Sequence, residues 1–127
     1  VAASLGEDSG YVPYTSFSAK KSYLEDHPEI VQAFTNALQK GMDYVASHTP
    51  AEIAEVIAPQ FPETELATIT TIVERYHNQD TWKTDLIFEE ESFMLLQNIL
   101  KDSKVLEETV PYEDLVTTEF AKKAASQ

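Results

Sequence analysis

The sequence predicts a mainly α-helical chain, with about five helices and one or two short strands at its N-terminus. Apolar residues recur at helical spacing in several stretches after Lys20, and many of these stretches open with helix-start signals. β-branched and aromatic residues are concentrated before residue 18 instead, which favours strands there. The 127 residues, 43% of them apolar, are enough to form one hydrophobic core.

The N-terminal segment carries the strand predictions. Residues 1–5 form a short apolar run, and residues 11–17 are rich in aromatic and β-branched side chains. Gly6 and Gly10 flank the polar loop between the two runs, and they are two of the three glycines in the chain. Pro13 has no backbone N–H to donate, so the second strand is predicted to be at best an edge or crossing strand.

The longest helix is predicted to follow the sequence Asp26-His27-Pro28-Glu29. Asp26 is the expected N-cap residue, Pro28 lies in the first turn and Glu29 adds an acid near the helix start. Gly41 is expected to permit close packing on the apolar face. This face consists of residues at helical spacing, namely Ile30, Phe34, Ala37, Leu38, Gly41 and Val45.

The remaining helices are shorter. Thr49 followed by Glu52 is a capping-box pattern and predicts a second helix, which Pro59 and Pro62 are expected to end. The chain end from Ala121 is expected to fray. Further helices are predicted from Thr64, over 88–103 and from Thr118, with one helical turn within 110–116.

Charge and composition exclude several classes of function. The chain has 22 acidic and 9 basic residues and a formal net charge of −13. Nucleic acids and anionic lipids need clustered cations, so neither is an expected partner. The chain has no cysteine, which excludes thiolate nucleophiles and zinc sites built from cysteine.

The titratable residues do not form a catalytic or metal-binding pattern. The histidines His27, His48 and His77 lie at predicted helix ends without a second ligand at metal spacing, so helix-end roles are favoured. The acids 89–91 are interpreted as a helix start. No serine lies in a nucleophile motif. We therefore expect no catalytic residue, no metal and no cofactor, and we expect that the protein is not an enzyme.

Two features remain as candidate binding elements. Glu7, Asp8 and Ser9 form a polar loop between apolar runs, which is where binding loops often occur. Trp82, the single tryptophan, is interpreted either as a packing residue or as a stacking surface for a ligand, with packing favoured.

A set of segments in a fixed order resembles a known family. The segments are 10–15 (GYVPYT), 27–34 (HPEIVQAF), 37–45 (ALQKGMDYV), 48–52 (HTPAE), 79–83 (QDTWK) and 110–116 (VPYEDLV). Their order and spacing resemble the C-terminal part of ABC-transporter substrate-binding proteins, in the branch that binds thiamine-pyrimidine precursors, sulfonates and nitrate. The family has Pro directly after a second His or Asn at the end of its long helix, whereas Thr49 intervenes here.

The resemblance implies a fold and a set of site residues. The family has two α/β lobes with a ligand cleft between them, the type 2 periplasmic-binding-protein fold, and this chain would be its last portion. Residues 1–18 would form a strand, a hinge-crossing loop and a crossing strand, and residues 19–127 a helical region that packs on a lobe. The implied hinge residues are Gly6, Gly10 and Pro13. The implied ligand-binding residues are Glu7, Asp8, Ser9 and Tyr11, with Trp82 at the border of the cleft.

The resemblance also implies a ligand and a location. Acids at the cleft favour an amine-bearing ligand, such as an aminopyrimidine or thiamine precursor, over sulfonate or nitrate. The expected location is extracytoplasmic, in the periplasm or as a cell-surface lipoprotein whose leader and lipidated Cys would lie upstream of Val1. An ABC transporter permease is the implied partner. Any dimer is expected to be a property of the isolated chain. The alternative is a free-standing helical protein-interaction domain without a transport role.

Overall fold

The computed structural model describes residues 9–126, and within them the chain is helical. The prediction of a mainly α chain is confirmed. There are more separate helices than the five expected, because the chain around the long helix divides into short segments. The α-helices are α1 (Lys21–Asp26), α2 (Pro28–Ser47), α3 (Pro50–Ile57), α4 (Leu66–Asn78), α5 (Glu90–Asp102), α6 (Tyr112–Leu115) and α7 (Glu119–Ala125), with a 3₁₀ helix at Ala58–Gln60.

The strand predictions have two outcomes. The run at residues 1–5 lies outside the described residues. The prediction of a strand over 11–17 is wrong, because this stretch has no strand structure and residues 9–126 contain no other strand that would pair with it. The β-branched and aromatic composition indicated an extended chain, but a strand also needs a hydrogen-bonding neighbour.

Helix α2 is the longest element, and its N-cap lies one residue later than predicted. His27 is the N-cap residue, without a side-chain hydrogen bond to the helix. Asp26 is the last residue of α1, so the prediction that it caps α2 is wrong. The separate helix α1 ends with a hydrogen bond from the His27 N–H to the Tyr23 carbonyl. Pro28 lies in the first turn of α2, as predicted.

The predicted apolar face of α2 is only partly packed. Ile30 and Phe34 are 51% and 48% exposed, whereas the residue that α2 buries is Gln39, at 7%. A Cβ atom added at Gly41 would meet nothing within 4 Å, so the prediction of close packing there is wrong. Apolar spacing identified the helix but not the face that its neighbours cover.

The main core lies between α3 and α4. Ile53 and Ala54 from α3 meet Ile69 and Val73 from α4, and partly buried side chains, including Trp82, pack around them. The capping box that starts α3 is confirmed, since the carboxylate of Glu52 accepts from the Thr49 N–H at 2.8 Å. α3 ends at Ile57, and the 3₁₀ helix continues the turn directly after it.

Two smaller contacts complete the fold. Phe93 of α5 makes edge-to-face contacts with Phe88 and Tyr112, with ring centroids 6.0 and 5.8 Å apart. α7 packs against α2 and buries Ala121 and Ala124. The chain end was predicted to fray from Ala121, and this is wrong as far as Ala125, the last residue of α7. No helix within residues 9–126 is long and apolar enough to cross a membrane.

The buried side chain of Gln97 stabilises the connection between α5 and α6. Its Nε2 donates to the Val110 carbonyl at 3.1 Å, and its Oε1 accepts from the Val110 N–H at 2.8 Å. We expect Gln97→Leu to lower the free energy of unfolding by about 1–2 kcal/mol, because both backbone groups lose their partner. Chemical unfolding measures this loss. Asn98→Leu on the exposed neighbouring position is the control, with an expected change within about 0.5 kcal/mol. Equal losses in the two variants would contradict this role.

The capping box predicts a specific acid dependence. Hydrogen bonds from Thr49, first from its backbone and then from its side chain, lower the pKa of Glu52 below its ordinary value of 4.5. The ionised carboxylate therefore stabilises the fold above the unfolded pKa, and this contribution is lost as pH falls through the folded pKa. We expect Glu52→Gln to reduce the loss of stability between neutral pH and pH below 4.5.

Chemical unfolding of the wild type and Glu52→Gln at the two pH values measures the effect. Glu55→Gln on the same helix is the matched control, because Glu55 is exposed and takes no part in the box. If Glu55→Gln reduces the loss of stability at acidic pH as much as Glu52→Gln does, the capping box is not the source of that loss.

Candidate functional site

A small pocket lies where the C-terminal half of α2 meets the end of α4 and the turn that follows it. Its volume of 220 Å³ is below the range of drug-sized ligand pockets. Apolar side chains from α2 form one wall, and polar side chains from the turn form the other. The lining residues are Met42, Val45, Ala46, His77, Asp80, Trp82, Lys83 and Thr84.

The turn after α4 places Asp80 in this wall. The Asp80 N–H donates to the His77 carbonyl at 3.2 Å, and the Thr81 N–H donates to the Tyr76 carbonyl at 3.0 Å. This pair of bonds is a Schellman motif, which usually has glycine in the left-handed position. Here the left-handed residue is Asp80, with φ 52°. The motif stops the helix and brings the following residues back toward α2.

A buried glutamine fixes the turn against α2. The Nε2 atom of Gln39 donates to the Thr84 carbonyl at 3.0 Å and to the Asp43 carboxylate at 2.9 Å. Both partners are acceptors, so the orientation of the carboxamide is determined. The Oε1 atom of Gln39 is buried and has no hydrogen-bond partner. The wall of the pocket near Thr84 is therefore held by a side chain that still has an unused acceptor.

Trp82 has the packing role that was favoured from the sequence. Its ring makes an edge-to-face contact with Tyr76, with centroids 5.7 Å apart, and packs against the α3–α4 core. It also lines the pocket. Its role as a stacking surface for a ligand stays a prediction.

Tyr11 reaches the same place from the N-terminal segment. Its hydroxyl donates to Oδ2 of Asp80 at 2.5 Å, across 69 positions of sequence. The hydrogen bond and the negative charge of Asp80 raise the pKa of Tyr11 above 10.0. Trp82 is thus the predicted ligand-binding residue that lines the pocket, and Tyr11 contacts one of the other lining residues, Asp80.

Within the described part of the chain, the carboxylate of Asp80 forms no ion pair. Its Oδ2 atom accepts the hydrogen bond from Tyr11. Lys83, which also lines the pocket, pairs with Glu89 at 3.3 Å. The lining therefore contains an acidic side chain, a basic side chain and the aromatic ring of Trp82.

The predicted residues Ser9, Gly10 and Pro13 do not line the pocket. Ser9 donates to the adjacent Gly10 carbonyl, at 3.4 Å. Gly10 has φ 78°, a left-handed conformation that favours glycine, and Pro13 lies in the same irregular segment. The hinge role predicted for Gly10 and Pro13 stays a prediction. Gly6, Glu7 and Asp8 lie outside the described residues.

Sequence reasoning missed Asp80 and His77 as pocket residues. Residues 78–81 have a turn-like composition, which was a signal for a helix end but not for a site. His48 has the predicted helix-end role, since its Nδ1 lies 2.9 Å from the Tyr44 carbonyl and its ring stacks on the Tyr44 ring. Across residues 9–126, no group of three or more His, Asp or Glu side chains is arranged to hold a metal ion.

Comparison with known proteins gives one informative similarity. The whole chain aligns at 38% identity with a protein of Bacillus subtilis (strain 168) named "Putative binding protein YtlA". The chain spans 38% of the length of that relative. No family model matches the chain, and no solved structure matches it.

The contact between Tyr11 and Asp80 predicts an altered tyrosine titration. A raised pKa means that protonated Tyr11 stabilises the contact below pH 10.0, and that this contribution is lost as pH rises through the folded pKa. We expect Asp80→Asn to lower the pKa of Tyr11 toward 10.0, because the charge that opposes tyrosinate is removed.

The absorbance of tyrosinate during alkaline titration measures this shift. For the wild type and for Asp80→Asn, the titration curve of the same protein with Tyr11→Phe added is subtracted. The difference is the contribution of Tyr11. Asp85→Asn, a change of the same kind outside the pocket lining, is the control. An unchanged Tyr11 titration in Asp80→Asn would show that the hydrogen bond does not form in solution.

Proposed function

We propose that this chain is part of the extracytoplasmic solute-binding component of an ABC importer. Such a component captures a small polar molecule between two lobes that close about a hinge, and it needs no covalent chemistry. The chain is accordingly proposed not to be an enzyme. The observation that carries the proposal is the pocket lined by Asp80 and Trp82, with the Tyr11 hydroxyl hydrogen-bonded to Asp80.

The similarity to the Bacillus subtilis protein supports a binding role. That relative is named as a binding protein, and the alignment covers all of this chain. The same alignment covers 38% of the relative, which leaves most of its length for further structure. A protein of that size has room for a second lobe. The order of segments that resembles the solute-binding family adds the transport role and the permease partner to the proposal.

Exposed apolar side chains support a larger assembly of lobes. Phe17 and Phe34 contact each other edge to face at 5.0 Å, yet they are 76% and 48% exposed. Ile30, one turn before Phe34, is also half exposed. Clustered large apolar residues on a surface commonly mark an interaction site. In the proposed protein, the other lobe covers this surface.

The pocket favours an amine-bearing ligand. The carboxylate of Asp80 attracts a hydrogen-bond donor or a cation, while Lys83 is engaged by Glu89. Trp82 offers an aromatic surface for a ring. An aminopyrimidine, such as a thiamine precursor, satisfies both requirements. Sulfonate and nitrate are the alternative ligands, and the negative charge of Asp80 in the lining disfavours both anions.

A second candidate function is a free-standing helical protein-interaction domain. The exposed pair of Phe17 and Phe34 favours it, because the same apolar surface suits a partner protein. The coding sequence upstream of Val1 discriminates between the two functions. A leader with a lipidation Cys, followed by a further α/β region, supports the extracytoplasmic binding protein. An initiator Met directly before Val1 supports the interaction domain.

Ligand binding is tested by thermal unfolding of the full-length protein with candidate solutes. We expect aminopyrimidines to raise the unfolding temperature more than alkyl sulfonates or nitrate. A solute at one hundred times its Kd adds about 2.7 kcal/mol to the free energy of unfolding. The parent pyrimidine, which has the ring without the amine, is the matched control ligand. Stabilisation by none of these solutes would contradict the proposed function and favour the interaction domain.

A further inference from the structure

We propose that the apolar side of α2 is an interface within one polypeptide, covered by the part of the full-length protein that lies outside this chain. The surface, called the open stripe below, consists of Phe17, Ile30, Phe34, Ala37 and Gly41, all of which are exposed. The proposed function expects a second lobe on part of this surface. The inference here extends the surface along α2 to Gly41 and holds without a solute, a hinge or a permease.

The first step of the argument is that α2 packs in the opposite sense to an ordinary amphipathic helix. Its inner side is polar, because Gln32 and Gln39 donate to a carbonyl of α7 and to a carbonyl of the chain after α4, at 3.0 Å each. Ala37 lies two residues before Gln39, and two residues are about 200° apart around an α-helix. The apolar side is therefore the outer one. A helix of a globular protein normally buries its apolar side.

The second step is that the open stripe continues the core that already exists. Within residues 9–126, a Cβ atom added at Gly41 meets nothing within 4 Å, and Phe34 has an edge-to-face contact with Phe17 while remaining about half exposed. One turn beyond Gly41, Tyr44 and Val45 pack against the α3–α4 core. The same side of α2 is thus covered at its C-terminal end and open before it. A contiguous exposed apolar surface of this kind marks an interaction site.

The third step identifies what covers the stripe. None of its residues is charged, so it suits an apolar surface of the kind found in permanent interfaces. Most of the length of the Bacillus subtilis relative lies outside its alignment with this chain, which supplies such a surface in the same polypeptide. A second copy is disfavoured, because two chains with a formal charge of −13 each repel one another.

The test measures the accessibility of the stripe in the full-length protein. The chain contains no cysteine, so Ala37→Cys places one thiol at the centre of the stripe, and mass spectrometry of the peptide quantifies its reaction with N-ethylmaleimide. Ala67→Cys is the matched control, because it makes the same change at an exposed position of α4. Relative to the rate in denaturant, we expect Ala37→Cys to react about tenfold more slowly than Ala67→Cys, since a buried thiol is unreactive.

Thermal unfolding of the full-length protein gives a second, independent measurement. We expect Phe34→Ser to lower the unfolding temperature by about 5 °C or more, because a covered aromatic side chain is lost from an interface. Leu115→Ser is the control, since Leu115 is 69% exposed in α6 and lies outside the stripe. We expect it to change the unfolding temperature by less than about 2 °C.

The outcomes separate this inference from the proposed function. Equal labelling of the two cysteine variants, or equal effects of the two serine variants, would show that the stripe is open and overturn the inference. Protection of Ala37→Cys that disappears on dilution would identify a second copy as the occupant, which also overturns it. If the stripe is protected at all concentrations while no solute stabilises the protein, the inference stands and the solute-binding function fails. If solutes bind and the stripe is open, the reverse holds.

Discussion

The arrangement of the chain around α2 depends on the carboxamides of two glutamines. Gln32 and Gln39 lie seven residues apart, so their side chains are on one face of the helix. The Nε2 atom of Gln32 donates to the Phe120 carbonyl at 3.0 Å, and that of Gln39 donates to the Thr84 carbonyl at the same distance. One helix face thus holds both the last helix and the turn of the pocket. The buried Oε1 atoms of the two side chains have no partner.

These polar contacts matter because the apolar core is small. Its buried members lie in α3 and α4 and consist of Ile53, Ala54, Ile69 and Val73. Hydrogen bonds need a specific distance and direction, whereas apolar packing tolerates shifts. The glutamines therefore fix positions that the core alone would leave variable. The pocket benefits directly, because its wall is held from one side by Gln39 and from the other by the packing of Trp82.

Local structure was predictable from the sequence, whereas the long-range contacts were not. The capping box at Thr49 involves residues three apart, and the helices have apolar residues at a regular period, so a linear pattern is sufficient. The burial of Gln39 could not be predicted in this way, because a polar residue in a helix is normally expected to face solvent. The contact of Tyr11 with Asp80 joins residues 69 positions apart. The sequence placed Tyr11 and Trp82 among the candidates but contained no local feature that connected them.

The two left-handed residues show that backbone strain does not by itself mark a binding residue. Asp80 and Lys104 both end helices in Schellman motifs with positive φ, and each has a cost that glycine would avoid. Lys104 does not line the pocket, so its conformation reflects how a helix ends. Asp80 differs because it lines the pocket and its carboxylate accepts a hydrogen bond from the hydroxyl of Tyr11 in a distant segment. The left-handed turn fixes the position of Asp80, and the neighbouring side chains determine what its carboxylate can bind.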